Sequence, residues 1–285
     1  MGGRCGVLGW PVRHSRSPAM HEAAYAALGL EGWTYQLLPV PPELLEETVR
    51  GLEGAGFTGA NATIPHKHAV LALADSATDR ARAIGAANTL TFDGGRIHAD
   101  NTDAPAVVEA LPFDVAGATA LVLGAGGTAR SAVWALLDAG AADVLVWNRT
   151  RERAERLTAE LGGRVVDGEA VTALLGPIDD VAPRGGGADR VAPIDLLLNT
   201  TAVGLATEQT QFDHLPLSAA DVSAFRCVVD FVYGAQPTDL IAAARAAGVE
   251  TVDGLEILVR QGAIGFEHWT GKPAPLDVMR TAARG

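Results

Sequence analysis

The chain is short of positive charge: 22 lysines and arginines stand against 34 aspartates and glutamates, a formal net charge of −12 over 285 residues. That deficit excludes the broad basic footprint of a nucleic-acid binder, and it requires any anion site to be locally basic. Cysteine is scarce as well. Cys5 and Cys227 lie in short apolar runs without CxxC or metal-ligand spacing, which excludes a disulfide framework and reads as two reduced, buried thiols of a cytoplasmic protein. No uninterrupted apolar run reaches the length of a membrane span, and no basic-then-apolar leader opens the chain, so neither a membrane partner nor export is expected. Seven histidines are present, but His14, His21, His66 and His68 form no HExxH pattern, and no metal is expected. Aromatic residues are few, at 5%, so the five tryptophans read as packing residues. The hydrophobic fraction of 48% is ample for real cores, and the length suggests two domains.

The pattern of the first hundred residues alternates between strand and helix. Cys5–Trp10, Thr34–Val40 and Gly59–Thr63 read as strands. A helix is expected from Ser17-Pro18 to Gly29, with Ser17 as N-cap, and another over Glu43–Leu52. Thr89–Ile97 resembles a hairpin turning at Asp93-Gly94-Gly95. From Ala118 the alternation becomes regular. Strands are expected at Thr119–Leu123, Val144–Trp147, Ile194–Leu198 and Cys227–Val232, with helices at Thr128–Ala139 and Arg151–Leu161. This is the signature of parallel βαβ units. Two helical patterns follow Gly254, the second starting at Leu276. The expected division is a substrate-type domain over 1–105, a dinucleotide domain over 106–248, and C-terminal helices over 249–285 that return to the first domain. The Pro/Gly-rich stretch 176–193 reads as a surface loop without chemistry of its own.

The glycine-rich turn Gly124-Ala125-Gly126-Gly127-Thr128-Ala129 sits between an expected strand and an expected helix. Gly124 permits a tight turn, Gly126 leaves room for a diphosphate, and Ala129 allows close helix–strand packing. The amides that open the helix then face the phosphates, aided by the helix dipole. About two dozen residues on, a dinucleotide fold usually carries an acid for the ribose 2′-hydroxyl. Here Asn148-Arg149-Thr150 and Arg153 occupy that region instead. A carboxylate would repel a 2′-phosphate, whereas a guanidinium binds it through paired hydrogen bonds. The expected cofactor is therefore NADP(H).

A second dense signal is Asn61-Ala-Thr63-Ile-Pro65-His66-Lys67. Reducing a ketone needs a hydride at carbon and a proton at oxygen; the cofactor brings the first, so the protein must supply the second. A lysine in a partly closed cleft is able to do so. Spacing alone leaves Lys67 equally readable as a solvated residue at a helix start. Asp103, which ends Asp100-Asn101-Thr102-Asp103, is its natural partner or else a helix N-cap. Asn88-Thr89 forms another polar pair at the mouth of a strand. Ser15 and Ser17 stand two apart after the first strand, placed to bind one carboxylate, with Ser17 equally plausible as a plain cap.

Taken together, these motifs resemble the shikimate dehydrogenase family, NADP-dependent enzymes that reduce 3-dehydroshikimate to shikimate. The likeness runs from Val7 to about Gly271. It includes Ser15-Arg-Ser17-Pro18, the Asn61–Lys67 segment, Gly85-Ala-Ala-Asn88-Thr89, Asn101-Thr102-Asp103, the glycine turn, Asn148-Arg149-Thr150, Asn199-Thr-Thr-Ala-Val-Gly204, and Gly254 followed by Gln261. The resemblance implies an α/β protein with a Rossmann domain and an α/β substrate domain, the active site lying in the cleft between them. It implies Lys67 as acid/base paired with Asp103. Ser15, Ser17 and Tyr233 would hold the substrate carboxylate, and Thr63, Asn88, Asp103 and Gln261 the ring hydroxyls. Asp79, Phe231 and Gly254 would join Gly124, Ala125, Gly126, Gly127, Thr128, Asn148, Arg149, Thr150 and Arg153 at the cofactor. The implied partners are shikimate or 3-dehydroshikimate, with the chain a monomer or homodimer.

Some positions depart from the family pattern: Ala104 and Ala106 where glycine is frequent, Thr201 and Leu205 in the asparagine-led loop, Gly234-Ala235-Gln236 after Tyr233, and Glu256 for another frequent glycine. The alternatives are a quinate or aminoshikimate paralogue, another NADP-linked enzyme such as a folate dehydrogenase, and a catalytically silent NADP-binding sensor. The serine pair and the Asn88/Asp103 set disfavour the folate enzyme, and an intact Lys67 and Asp103 disfavour the sensor.

Overall fold

The computed structural model describes residues 2–175, 194–205 and 210–285. The stretch 176–193, read above as a surface loop, lies outside them. The chain forms two compact units, one comprising the chain up to Ala110 together with Leu255–Gly285, the other Leu111–Gly254.

The first unit opens with β1 (Arg4–Gly9), α1 (Ser17–Ala27), β2 (Thr34–Pro39), α2 (Leu45–Gly51), β3 (Phe57–Ala62) and α3 (Lys67–Leu73). It continues with β4 (Ser76–Ala77), α4 (Asp79–Ile84), β5 (Thr89–Asp93), β6 (Arg96–Asp100) and α5 (Asp103–Ala110). Its sheet runs β2-β1-β3-β5-β6-β4. β1 is parallel to both neighbours, whereas β5 is antiparallel to β3 and β6. Alternation along β1 sends Leu8 to one face, with Val49, Leu52, Phe57, Leu90 and Ile97, and Cys5 and Val7 to the other, with Met20, Tyr25, Phe266 and Met279. Both faces of the strand are therefore covered, which explains its near-continuous apolar run. The β5–β6 hairpin turns through Gly94 and Gly95, with φ of 60° and 79°, the two left-handed positions that such a two-residue loop demands.

Two expectations need correcting here. Ser17 is the first residue of α1 and not its N-cap, which is Arg16 and makes no side-chain cap. The reason is local: the Ser17 amide donates to Ser15 Oγ at 3.3 Å, so the upstream serine does the capping. The helix expected over Glu43–Leu52 is split into a 3₁₀ turn at Pro42–Leu44 and α2.

The second unit contains β7 (Thr119–Leu123), α6 (Gly127–Asp138), β8 (Asp143–Trp147), α7 (Arg151–Leu161), β9 (Arg164–Val165) and α8 (Gly168–Leu175). β10 (Leu196–Asn199), β11 (Cys227–Asp230), α9 (Asp239–Ala246) and β12 (Glu250–Val252) follow. All its strands are parallel, in the order β9-β8-β7-β10-β11-β12. Counted from β7, that is the 3-2-1-4-5-6 order of a Rossmann fold, whose ligand crevice lies at the carboxyl ends of strands where the order reverses, here β7 and β10. The chain then returns to the first unit as α10 (Gly254–Thr270) and α11 (Leu276–Arg284). Glu256 explains itself there: it accepts from Arg260 Nε at 2.8 Å and Arg280 Nε at 2.8 Å, tying α10 to α11. No helix among the described residues is long and apolar enough to cross a membrane.

Candidate active site

In the first unit, the ends of β3, β5 and β6 and one face of α10 bring a polar set together. After β3 ends, Thr63 still follows the sheet through its amide, which donates to Leu8 O at 2.8 Å, and the chain then turns into α3 with Lys67 as its first residue. Between β6 and α5, Asn101 Oδ1 accepts from the Ala104 amide at 3.1 Å and so caps α5. This releases the Asp103 carboxylate from capping. Lys67 Nζ donates to Asp103 Oδ2 at 2.6 Å, with the two side chains only 12% and 8% exposed. The other carboxylate oxygen, Oδ1, accepts from Asn88 Nδ2 at 2.9 Å.

Asn88 is the hub of the set. Its Nδ2 also reaches Thr102 Oγ1 at 3.0 Å and Gln261 Oε1 at 3.2 Å, while its Oδ1 accepts from the Thr102 amide at 2.7 Å. Gln261 Nε2 is held by Leu258 O at 2.8 Å, which turns its carbonyl toward Asn88. Ser15 Oγ donates to Ser17 Oγ at 3.1 Å, so those two hydroxyls also meet, Ser17 buried and Ser15 half-buried. The histidines beside Lys67 are occupied elsewhere: the buried His66 ring lies 2.7 Å from Val40 O, and His68 Nδ1 2.9 Å from Gly85 O.

Three supports escaped the sequence reading. Tyr35 donates to Asn61 Oδ1 at 2.6 Å, and Asn61 Nδ2 donates to Asn88 O at 3.1 Å, bracing the hub from below. Asp100, just before Asn101-Thr102-Asp103, is gripped by Arg80, Thr78, His268 and the Asn101 amide. Burial pushes its carboxyl up, but the hydrogen bonds from His268, Arg80 and Thr78 together outweigh burial and hold it below its ordinary value. Third, Asp230 anchors a network at the ends of β10 and β11 in the other unit. Burial raises its carboxyl above the ordinary value, and bonds from Thr238, Gln211, Val232 and Asn199 pull it part of the way back.

At the end of β7, Gly124 has φ +116°, and a Cβ there would sit 2.5 Å from Thr200 Oγ1; backbone and neighbour both require glycine. Gly126 differs. It is the extended N-cap of α6, and a Cβ there would meet nothing within 4 Å. The fold itself does not need glycine at that point, whereas a diphosphate approaching the helix amides does. Ala125, Gly127 and Thr128 complete the turn, and Ala129 is fully buried against the sheet. Beyond β8, Asn148 Nδ2 donates to Thr150 O at 2.7 Å and shapes the loop. Arg149, Thr150 and Arg153 are exposed. Neighbouring Arg151 pairs with Glu155 and Arg130 with Glu160, but the Arg149 and Arg153 guanidiniums have no ion-pair partner among the described residues. These residues fit a dinucleotide bearing a 2′-phosphate.

Phe231 and Tyr233 follow β11, both half-buried, and Gly254 backs onto them: a Cβ there would lie 2.5 Å from Phe231 O. Asp79 begins α4 in the first unit, its side chain 99% exposed and paired with Arg82 at 2.6 Å.

Fold and site together define a two-unit α/β protein of the dinucleotide-binding oxidoreductase class, with a lysine–aspartate–amide site on the unit that lacks the glycine turn. Three family models match along the chain: the shikimate dehydrogenase substrate binding domain at residues 7–90, shikimate/quinate 5-dehydrogenase at 107–181, and the shikimate 5'-dehydrogenase C-terminal domain at 254–284. The chain belongs to the shikimate dehydrogenase family. A shikimate dehydrogenase (NADP(+)) of Methanopyrus kandleri is 42% identical over 282 residues, spanning 97% of this chain and 93% of the relative. The crystal structure of shikimate 5-dehydrogenase from Thermus thermophilus in complex with NADP(H) and shikimate matches with a TM-score of 0.82 at 38% identity, covering 99% of this chain and 98% of that one. The fold also hosts another named activity: 5-ketofructose reductase of a Gluconobacter species matches with a TM-score of 0.80 at 28% identity, covering 99% and 98% of the two chains.

Proposed function

We propose that the chain catalyses the reversible, NADP-linked reduction of 3-dehydroshikimate to shikimate, a step of aromatic amino-acid biosynthesis. The observation that supports this reading best is the Asp103 carboxylate, shared between Lys67 Nζ at 2.6 Å and Asn88 Nδ2 at 2.9 Å on a scaffold of this family. When bound, the nicotinamide supplies or accepts the hydride at ring C3. The protein does the rest. Lys67 Nζ gives a proton to the C3 oxygen during reduction and takes it back during oxidation. Asp103 holds the ammonium in place through a charge-assisted hydrogen bond. Asn88, Gln261 and Thr63 orient the ring hydroxyls, and Ser15, Ser17 and Tyr233 receive the carboxylate.

Gly124, Ala125, Gly126, Gly127 and Thr128 hold the diphosphate, and Asn148, Arg149, Thr150 and Arg153 the 2′-phosphate end. Asp79, Phe231 and Gly254 complete the cofactor set. The two unpaired, buried cysteines suit a reducing compartment, so the reading includes the cytoplasm. It leaves the chain a monomer or a homodimer, which sedimentation distinguishes. The test is initial-rate formation of reduced cofactor from shikimate and from quinate, each with NADP and NAD. Shikimate with NADP is expected to give the highest kcat/KM. Preference for quinate would move the chain to the paralogue reading, and NADP binding without turnover would make it a sensor.

A further inference from the structure

Asp230 closes β11 and is fully buried. Its Oδ1 accepts from Asn199 Nδ2 at 2.9 Å and the Val232 amide at 3.0 Å, and its Oδ2 from Gln211 Nε2 at 3.0 Å and Thr238 Oγ1 at 2.7 Å. Each of the side-chain donors is locked by a bond made elsewhere. Asn199 Oδ1 takes the Thr201 amide at 3.1 Å and Thr201 Oγ1 at 2.7 Å, so its amino group must face Asp230. Gln211 Oε1 takes the Leu240 amide at 2.9 Å, with the same consequence. Thr238 Oγ1 accepts from the Ile241 amide at 3.3 Å as the N-cap of α9, which leaves its proton for the carboxylate. Both carboxylate oxygens thus face donors alone. Such surroundings select an acceptor-only group.

This node controls more than its own strand. Thr201 Oγ1 accepts from the Val203 amide at 3.1 Å, and Gln211 Nε2 donates to Val203 O at 2.9 Å, so the loop leaving β10 is fixed at two points. Gly204, with φ +104°, packs so closely on Gln211 that a Cβ would come within 2.7 Å of its Nε2. Between Asn199 and Thr201 lies Thr200, whose Oγ1 donates to Leu123 O at 2.7 Å and presses on Gly124. A continuous path thus runs from Asp230 through Asn199 and Thr200 to the glycine turn. On the other side, the Val232 amide ties Asp230 to the segment carrying Phe231 and Tyr233.

We propose that Asp230 is a positioning residue for the cofactor: its carboxylate sets the loops that leave β10 and β11 and holds the Gly124 turn in the shape that receives a diphosphate. The proposal rests on the NADP reading above. It touches no residue of the Lys67–Asp103–Asn88 set, and of the proposed substrate ligands only Tyr233 lies on a segment it ties, so the defect is expected to fall mainly on the cofactor. Asp230→Asn would set an amino group against locked donors. The Kd for NADPH, read by nucleotide fluorescence on the purified protein, is expected to rise about tenfold or more. The Kd for shikimate, read by calorimetry without cofactor, is expected to rise by no more than about threefold, through Tyr233 alone. Thr201→Val, at the half-buried outer end of the same path, is expected to give a smaller rise in the same direction, and it supplies the test if Asp230→Asn does not fold. Equal weakening of both ligands, or an unchanged NADPH Kd in folded protein, would overturn the assignment. Failure of the wild-type chain to bind NADPH would instead remove the NADP reading itself.

Discussion

Asp103 serves two partners with two oxygens: Oδ2 meets Lys67 Nζ at 2.6 Å and Oδ1 meets Asn88 Nδ2 at 2.9 Å. A single side chain therefore fixes both the Lys67 ammonium and the hub of the polar set. Asp103→Asn removes the charge and sets an amide opposite either an ammonium or another amide. We expect kcat to fall by about 10²-fold or more. The Kd for NADPH should change little, because the glycine turn belongs to the other unit. Steady-state kinetics alongside nucleotide titration checks both halves; unchanged kcat would detach Asp103 from the chemistry.

We propose that Arg149 sets the choice of cofactor. Its guanidinium is exposed and without an ion-pair partner among the described residues, whereas Arg151 close by is paired with Glu155. Arg149→Asp replaces a phosphate binder with a phosphate repeller and offers a partner to a free 2′-hydroxyl. The ratio of kcat/KM for NADPH over NADH is expected to fall by about 10-fold or more, corresponding to loss of one charge-assisted hydrogen-bond pair. An unchanged ratio would show that discrimination lies elsewhere.

Acid stability is expected to report on His21. This ring is fully buried, stacked on Tyr35 with centroids 4.2 Å apart, and neither ring nitrogen has a hydrogen-bond partner among the described residues. Burial pushes its pKa down from 6.5 to about 3. The folded protein therefore keeps His21 neutral over a range in which the unfolded chain takes up a proton. Its contribution is fully present above the ordinary histidine value and is lost as pH falls toward about 3. The slope expected from one such group is about 1.4 kcal/mol per pH unit. Asp100 adds acid sensitivity only below its ordinary value of 3.8, and the shifted carboxyls of Asp230 and Glu256 act alike in both proteins, so the difference between wild type and His21→Phe isolates the histidine. Denaturant unfolding between about pH 6 and about pH 4 should show the slope in the wild type and its loss in His21→Phe, which keeps the stack. Parallel pH profiles for the two proteins would contradict this.

Much of this architecture was readable from local pattern. The glycine turn between β7 and α6 and the Gly94-Gly95 hairpin are short-range signals, and strong ones. Strands β4, β9 and β12 span two or three residues, too few for any period to register. Ser17 opens α1 and does not cap it because Ser15, two residues upstream, takes the Ser17 amide. In the site, Lys67 and Asp103 were legible as candidate chemistry, but spacing alone left each with a plain structural alternative, and only family likeness favours the chemical reading. The hub role of Asn88 was not legible. It depends on Thr102, Asp103 and Gln261, which lie 14, 15 and 173 positions along the chain. Tyr35–Asn61, Arg80–Asp100 and the Asp230 network share that character: polar pairs joined only by tertiary folding, with no periodicity to betray them.

The central claim is that Lys67 exchanges the proton at the substrate's C3 oxygen. Its most direct test is steady-state turnover of Lys67→Ala with shikimate and NADP, with shikimate Kd measured on the same preparation. We expect kcat to fall by about 10²–10⁴-fold while the shikimate Kd shifts far less. A variant that turns over at the wild-type rate would contradict the account.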